Sequence, residues 1–186
     1  MTKIIIIPGS YRTGSVNVQL GEAIRLKFSE LDVDADLISL ADYQMPIFNE
    51  DDEAERGAPQ SAKDLAEKIS DCQGVVFINP EYNSSLTPLL KNTIDWLSRD
   101  VGVKVYQNRT FALAACSPGA VGGIRGLSHL RDVMVNVGAD VITPQLALGN
   151  AGTAFADNGS LTNERAQNIL QTMCETLIRH AKLLSK

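Results

Sequence analysis

The chain has 186 residues, and 17 Lys plus Arg against 22 Asp plus Glu give a formal net charge of −5. With 44% hydrophobic and 21% charged residues, it is too apolar to be intrinsically disordered. A mildly acidic chain without a basic cluster is not expected to bind nucleic acid, because neutralising phosphates requires clustered Lys and Arg. We predict a single domain over residues 1–186.

The predicted compartment follows from what the chain lacks. No apolar run approaches the roughly 20 residues of a membrane span, and Lys3–Pro8 is too short for a signal-peptide core. Cys72, Cys116 and Cys174 are widely separated, and none has a histidine at metal-ligand spacing. We therefore expect a cytoplasmic protein with no metal site and no membrane contact.

Five apolar runs along the chain predict β-strands. The first is apolar at consecutive positions, which is typical of a parallel strand covered on both faces. In chain order, the predicted strands are Lys3–Pro8, Asp36–Leu40, Gly74–Asn79, Thr110–Ala115 and Asp140–Leu148.

Amphipathic stretches between these runs predict helices. One begins near Ser15 with apolar residues recurring every three or four positions, and Thr87-Pro88 predicts the N-cap and first residue of another that runs through Arg99. The remaining predicted helices are Ala62–Ser70, Gly126–Val137 and Thr162–Leu184. Strands that alternate with helices predict an α/β three-layer sandwich with a mainly parallel sheet.

The interval Ala41–Gln60 is predicted to be irregular. It carries an acidic cluster that consists of Glu50, Asp51, Asp52, Glu53 and Glu55. A loop of this length is usually functional or mobile, and a solvated acidic surface is the alternative.

Three polar or glycine-rich segments leave the predicted strand ends. They are the phosphate loop (Gly9–Asn17), the ring loop (Pro80–Ser85) and the glycine loop (Ser117–Gly126). Because ligands of doubly wound sheets bind beyond the carboxyl ends of the strands, we expect the three loops to converge.

The phosphate loop has the donors of an anion site. Backbone N–H groups at the start of a helix attract phosphate, and the side-chain donors are Ser10, Arg12, Thr13, Ser15 and Asn17. Gly9 and Gly14 have the spacing of an NTPase loop, but the Lys-Ser/Thr pair is replaced by Ser15-Val16. A terminal phosphate monoester is the predicted ligand, and simple helix capping by these residues is the alternative.

The other two loops are suited to a flat, uncharged ring. Pro80, Tyr82 and Asn83 offer backbone hydrogen-bonding groups and an aromatic wall, although a plain turn with a surface tyrosine is the alternative. Glycines in the glycine loop permit close approach of the backbone. Glu81 is expected to be an exposed carboxylate that orients its loop and is not assigned to catalysis.

Neither cysteine nor histidine chemistry is predicted. Cys116 ends a strand without a partner histidine and is interpreted as a small core residue. His129 and His180 are interpreted as ordinary helix residues.

Taken together, the segments GSYRTGSVN, PEYNSSLTPLLKNTIDWLSR and SPGAVGGIRGLSHLR resemble the NADPH-dependent FMN reductase family of flavodoxin-like proteins. That family includes small bacterial quinone, chromate and azo-dye reductases, and the resemblance covers nearly the whole chain. It implies a flavodoxin-like, five-stranded parallel sheet in the order 2-1-3-4-5 with FMN across the strand ends. The one mild departure is Gly14, where other members often have a different small or polar residue.

The resemblance also implies site residues and an assembly. By position, it assigns the FMN phosphate to Ser10, Arg12, Ser15 and Asn17, the ring to Pro80, Glu81, Tyr82 and Asn83, and the ring edge to Ser117 and Gly119. A homodimer or homotetramer is implied, with the dimer formed by the helix that carries Lys91, Asn92, Asp95 and Trp96.

The implied reaction is hydride transfer from NADPH or NADH through FMN to a small acceptor such as a quinone, free flavin, azo dye or chromate. The chemistry belongs to the cofactor, so no catalytic side chain is expected. Arg125 and Arg131 are candidates for contacting the 2′-phosphate of NADPH. Two alternatives stay open: a non-enzymatic electron carrier of flavodoxin type, and a flavin-free nucleotide-processing transferase with Glu81 as its base.

Overall fold

The computed structural model describes residues 2–99 and 103–184, and within these ranges it contains six strands and six α-helices. The strands are β1 (Lys3–Pro8), β2 (Asp34–Leu37), β3 (Gly74–Ile78), β4 (Thr110–Cys116), β5 (Asp140–Val141) and β6 (Leu146–Leu148). The helices are α1 (Val16–Glu30), α2 (Glu50–Arg56), α3 (Gln60–Ser70), α4 (Pro88–Leu97), α5 (Ile124–Asn136) and α6 (Glu164–Leu184).

All strand pairs are parallel, in the order β2-β1-β3-β4-β5, with β6 also paired to β4. Alternate residues of β1 point to opposite faces of the sheet, and both sets are buried. Ile4 and Ile6 pack in the core that contains residues of α1 and α6, whereas Ile5 and Ile7 pack in the core that contains residues of α3, α4 and α5. The predicted flavodoxin-like three-layer sandwich is therefore confirmed.

The predicted strand Asp140–Leu148 is wrong as a continuous element. The structure divides it into β5 and β6, which pair with opposite ends of β4. Pro144 lies in the break and has no N–H to donate. The guanidinium of Arg131 fills this gap, because its Nη2 donates to the Ile142 carbonyl over 2.9 Å and its Nε to the Gln145 side chain over 3.2 Å.

The interval 41–60 is not the irregular loop that its composition predicts. A 3-10 helix spans Leu40–Tyr43, and α2 contains all five residues of the acidic cluster. Asn49 caps α2 by accepting a hydrogen bond from the Asp51 N–H over 3.0 Å. Four acidic residues lie in the first turn, where the helix dipole stabilises negative charge.

The other predicted elements agree with the structure to within about two residues at each end, apart from β2. That strand lies earlier than predicted, because Leu40 already belongs to the 3-10 helix. Thr87 and Pro88 are the N-cap and first residue of α4 as predicted. Among the described residues, no helix is both long and apolar enough to cross a bilayer.

Candidate functional site

The phosphate loop and the ring loop lie side by side at the carboxyl edge of the sheet. The Thr87 hydroxyl, at the start of α4, donates to the Gly9 carbonyl over 2.9 Å, and the Gly9 N–H donates to the Ile78 carbonyl over 2.7 Å. Glycine at position 9 permits this close approach, because a Cβ there would lie 3.0 Å from Leu90 Cβ and 3.2 Å from Pro80 Cδ and would crowd both. The predicted convergence therefore holds for the first two loops.

Asn17 joins the phosphate loop to the strand that leads into the glycine loop. Its Nδ2 donates to the Cys116 carbonyl over 2.9 Å, and its Oδ1 accepts from the Cys116 N–H over 2.8 Å. The side chain is buried, and this pair of bonds fixes the start of α1 against the end of β4. Asn17 thus fixes the phosphate loop against the end of β4, and one Nδ2 proton is not used by this pair of bonds.

Glu81 joins the ring loop to α5. Its Oε2 accepts a hydrogen bond from the Gly126 N–H over 2.9 Å, in the first turn of that helix, where the dipole favours a carboxylate. The side chain is only 13% exposed, with Arg125 Nη1 4.0 Å from Oε1. Glu81 orients its loop as predicted, but the expectation of an exposed carboxylate is wrong.

The phosphate loop presents hydrogen-bond donors that suit an anion. Ser15 is the N-cap residue of α1, yet its side chain makes no capping hydrogen bond, so the capping alternative does not account for it. The Arg12 guanidinium folds back on its own loop, donating to the carbonyls of Thr13 over 3.0 Å and Gly14 over 3.2 Å. Those two bonds leave the other guanidinium N–H groups available. Ser10 Oγ accepts from the Arg12 N–H over 3.3 Å and keeps its own proton to donate.

A pocket of about 580 Å³ lies along this loop. Residues Ser10 to Ser15 form one wall, and residues Leu37 to Ser39, at the end of β2, form part of another. This is a concave space of small-ligand size directly beside the uncapped helix start.

The ring loop ends in a tight turn with an unusual backbone. Tyr82 and Ser85 exchange two backbone hydrogen bonds, of 3.1 Å and 3.0 Å. Between them, Asn83 and Ser84 have φ angles of 50° and 65°, as in a type I′ turn. Asparagine tolerates this left-handed region, whereas serine adopts it less readily, and such strain is concentrated at ligand sites. Tyr82 is 51% exposed, so its ring is accessible as an aromatic wall.

The glycine loop is fixed from beneath by β6 and by the residues after it. The Ser117 N–H donates to the Leu148 carbonyl over 3.0 Å, and Gly119 accepts from the Asn150 N–H over 3.2 Å. Gly122 has a φ of +66°, and a Cβ there would lie 2.6 Å from the Ala147 carbonyl carbon. The loop therefore presents a fixed backbone to the site.

Cys116 is the last residue of β4, and its backbone is bound by Asn17. Its side chain is buried, and this burial raises the pKa of the thiol to about 12, so the reactive thiolate does not form near neutral pH. The sequence interpretation of Cys116 as a core residue agrees with the structure. The contribution of Cys116 is its backbone, whose N–H and carbonyl groups bind the Asn17 side chain.

Sequence reasoning missed the role of His129. Its Nδ1 lies 3.0 Å from Ser85 Oγ at the end of the ring loop. The two residues are 44 positions apart, and no local pattern indicates such a contact. The other histidine, His180, lies far along the chain on α6 with its Nδ1 3.7 Å from an Asp140 carboxylate oxygen.

Two residues of the predicted dimer helix make contacts within this chain. Asn92 accepts from the Phe48 N–H over 2.8 Å and donates to the Pro46 carbonyl over 2.9 Å. Trp96 is buried and donates from Nε1 to that same carbonyl over 2.8 Å. Both side chains therefore hold the segment 46–48 against α4.

The two ends of the site differ in chemistry. The phosphate loop supplies a cation, hydroxyls and uncapped helix N–H groups, whereas the ring loop supplies an exposed tyrosine and strained backbone. This polarity fits a ligand with a phosphate at one end and a flat ring at the other, as in FMN.

Comparisons with known proteins agree with this geometry. Residues 2–153 match the NADPH-dependent FMN reductase family. A quinone reductase from Pseudomonas putida is 31% identical over 182 residues, covering 97% of this chain and 95% of that protein. A 2-hydroxy-1,4-benzoquinone reductase from a Burkholderia species is 29% identical over 174 residues, covering 93% and 92%.

Among solved structures, FerB from Paracoccus denitrificans, a flavoenzyme NAD(P)H:(acceptor) oxidoreductase, has a TM-score of 0.84 to this chain. It is 26% identical in sequence, and the match covers 98% of both chains. The chain belongs to the NADPH-dependent FMN reductase family and is an FMN-dependent NAD(P)H oxidoreductase with a flavodoxin-like fold.

Proposed function

We propose that the chain is an NAD(P)H:quinone reductase that holds FMN across the phosphate loop, the ring loop and the glycine loop. The observation that carries this proposal is the set of hydrogen bonds that joins the three loops. Thr87 binds Gly9, Asn17 binds Cys116, and the Gly126 N–H binds Glu81. Segments far apart in sequence are thereby held at one edge of the sheet.

The phosphate end of the cofactor would bind Ser10, Arg12 and Ser15, together with the uncapped N–H groups of α1. These groups are donors, and the Arg12 fork is suited to bidentate contact with phosphate oxygens. Asn17 would contribute its remaining Nδ2 proton.

The ring end would lie against Pro80, Tyr82 and Asn83, with Ser117 and Gly119 at the ring edge. When bound, FMN supplies the hydride and electron transfer between NAD(P)H and the acceptor. The chain would position the ring, and Glu81 accepts a hydrogen bond from the Gly126 N–H, which assigns it a structural role rather than proton transfer.

A quinone is the acceptor that the relatives favour, because both curated relatives are named for quinone reduction. The exposed ring of Tyr82 and the exposed ring of Tyr11 suit a flat acceptor, which stacks on aromatic surface. Free flavin, azo dye and chromate are the other acceptors that the site would be tested with.

For the nicotinamide cofactor, Arg125 is the better of the two predicted arginines. Arg131 is engaged with residues between β5 and β6, whereas the Arg125 side chain is 63% exposed beside the ring loop. We propose Arg125 as the partner of the 2′-phosphate of NADPH.

We also propose a cytoplasmic homodimer, or a homotetramer built from two dimers. Because Asn92 and Trp96 bind the segment 46–48, an interface on α4 would use its exposed face, which carries the Lys91–Asp95 ion pair. Sedimentation velocity of the purified protein tests this assembly.

The proposed function is tested by reconstitution and anaerobic titration. The purified chain with FMN should show a protein-bound flavin spectrum that bleaches when NADPH or NADH is added and returns when 1,4-benzoquinone is added. The same titration with the other acceptors ranks them. A flavin that NAD(P)H does not reduce, or a chain that fails to bind FMN, would contradict the proposal.

A further inference from the structure

We propose that His129 is a positioning residue of the cofactor site, which acts on the ring loop through Ser85. The inference rests on the proposed placement of FMN against that loop. His129 belongs to α5 and makes its contact from outside the loop, so its effect on a ligand is indirect.

The tip of the ring loop needs an anchor because its backbone is strained and exposed. Tyr82, Asn83 and Ser84 are all exposed, and two of them have positive φ. The hydrogen bonds between Tyr82 and Ser85 close the turn on itself and do not attach it to the rest of the protein. A strained turn persists only where its surroundings fix it.

Helix α5 provides those surroundings from one face. Gly126 donates its N–H to Glu81 at the start of the loop, and His129, one helical turn later, contacts Ser85 at the end of the turn. Residues three apart lie on the same side of a helix, so one surface of α5 holds both ends of the turn. Among the described residues, the bond between Ser85 and His129 is the only hydrogen bond made by a side chain of residues 82–85.

The packing beneath the turn is close, but it adds no second side-chain hydrogen bond to Ser85 among the described residues. A Cβ at position 126 would lie 2.6 Å from Asn79 Nδ2 and 3.0 Å from the Ser85 carbonyl, so the helix already touches the loop there. In the described part of the chain, Asn79 Nδ2 is the only buried side-chain donor that has no hydrogen-bond partner. Asn79 makes no hydrogen bond to Ser85, so in the described part of the chain the side chain of Ser85 is tied to α5 through His129.

The contact is tested by a double-mutant cycle on the full chain, with FMN affinity measured by quenching of flavin fluorescence. Ser85→Ala and His129→Leu should each weaken FMN binding about threefold, near the lower end for one hydrogen bond, because His129 is exposed to solvent. Because both changes remove the same contact, the double variant should bind no more weakly than the weaker single variant. Effects that multiply, or an unchanged affinity in His129→Leu, would overturn the inference.

Rescue by a conservative variant distinguishes positioning from general support of the fold. His129→Asn keeps an amide near the position of Nδ1, so its affinity should return to within about twofold of wild type. A variant as weak as His129→Leu would count against the inference. His180→Leu is the matched control and should leave FMN binding unchanged. If the wild-type chain itself does not bind FMN, the proposed function fails first, which separates the two outcomes.

Discussion

Arg12 and Asn17 lie in the same loop, yet their side chains have opposite surroundings. The Arg12 guanidinium is exposed and donates to carbonyls of its own loop, whereas the Asn17 amide is buried and bound to the Cys116 backbone. The sequence assigns both to phosphate, because both are donors after the first strand. It does not show that the Asn17 amide binds the backbone of Cys116, which lies 99 residues further along the chain.

At this scale we predict that Arg12→Ala weakens FMN binding about tenfold or more. A hydrogen bond to a charged group contributes roughly 1.5–3 kcal/mol, and the lower end applies because solvent screens an exposed side chain. The measurement is the FMN dissociation constant at fixed ionic strength.

Arg25→Ala is the matched control for that prediction. It removes the same charge from α1, but its guanidinium pairs with Glu22 over 2.8 Å on the exposed side of the helix. Equal losses of affinity in the two variants would show that net charge, rather than a contact with the phosphate, is responsible.

At the scale of elements, the sequence predicts what is buried better than what is exposed. The central strand β1 is recognised from its isoleucines because burial on both faces demands them. Helix α2 is missed because none of its residues is buried, so it has no apolar periodicity, and its remaining signal is the cap residue Asn49 before four acids. The division between β5 and β6 depends on Pro144 and on the distant Arg131.

Gly126 gives a prediction about how α5 and the ring loop fit together. By helix propensity alone, Gly126→Ala would stabilise α5 by about 1 kcal/mol. In this fold, the new Cβ would lie 2.6 Å from Asn79 Nδ2 and 3.0 Å from the Ser85 carbonyl oxygen, so the Asn79 side chain and the end of the ring loop would have to shift. We expect weaker FMN binding in a protein that remains folded, as measured by flavin titration and thermal unfolding.

Ser128→Ala is the control for this change, because it lies on the exposed side of the same helix. It should leave FMN binding at the wild-type level. Wild-type affinity in Gly126→Ala would show that the loop does not depend on close approach to α5.

For the whole molecule, the convergence of the three loops is predictable from sequence, because parallel strands place their carboxyl ends at one edge. The hydrogen bonds that set the distances between the loops cannot be predicted from sequence. Thr87 and Asn17 contact backbone atoms, and backbone positions carry no sequence pattern. The chemistry of the site is thus read from residue types, and its dimensions come only from the fold.

The buried thiols predict how stability varies with pH. Burial raises the pKa of Cys116 and of Cys174 from 9.0 to about 12. Since a thiolate forms more readily in the unfolded chain, this contribution is complete below pH 9 and is lost as the pH rises towards 12. The free energy of unfolding should therefore fall over that range.

Chemical denaturation at several pH values measures the free energy of unfolding of the wild type and of the double variant Cys116→Ala/Cys174→Ala. The double variant should lose less stability between pH 9 and 12 than the wild type, because other alkaline groups titrate equally in both. Parallel curves would mean that the thiols do not contribute.

The contacts of Thr87 and Asn17 affect which length of ligand the site can bind. They set the separation between the two ends of the site before any molecule enters, so the opening has a defined length. Riboflavin, which has the ring but no phosphate, would occupy one end alone. The ratio of the riboflavin affinity to the FMN affinity therefore measures how much the phosphate loop contributes to binding, because the ring loop is in the same position for both ligands.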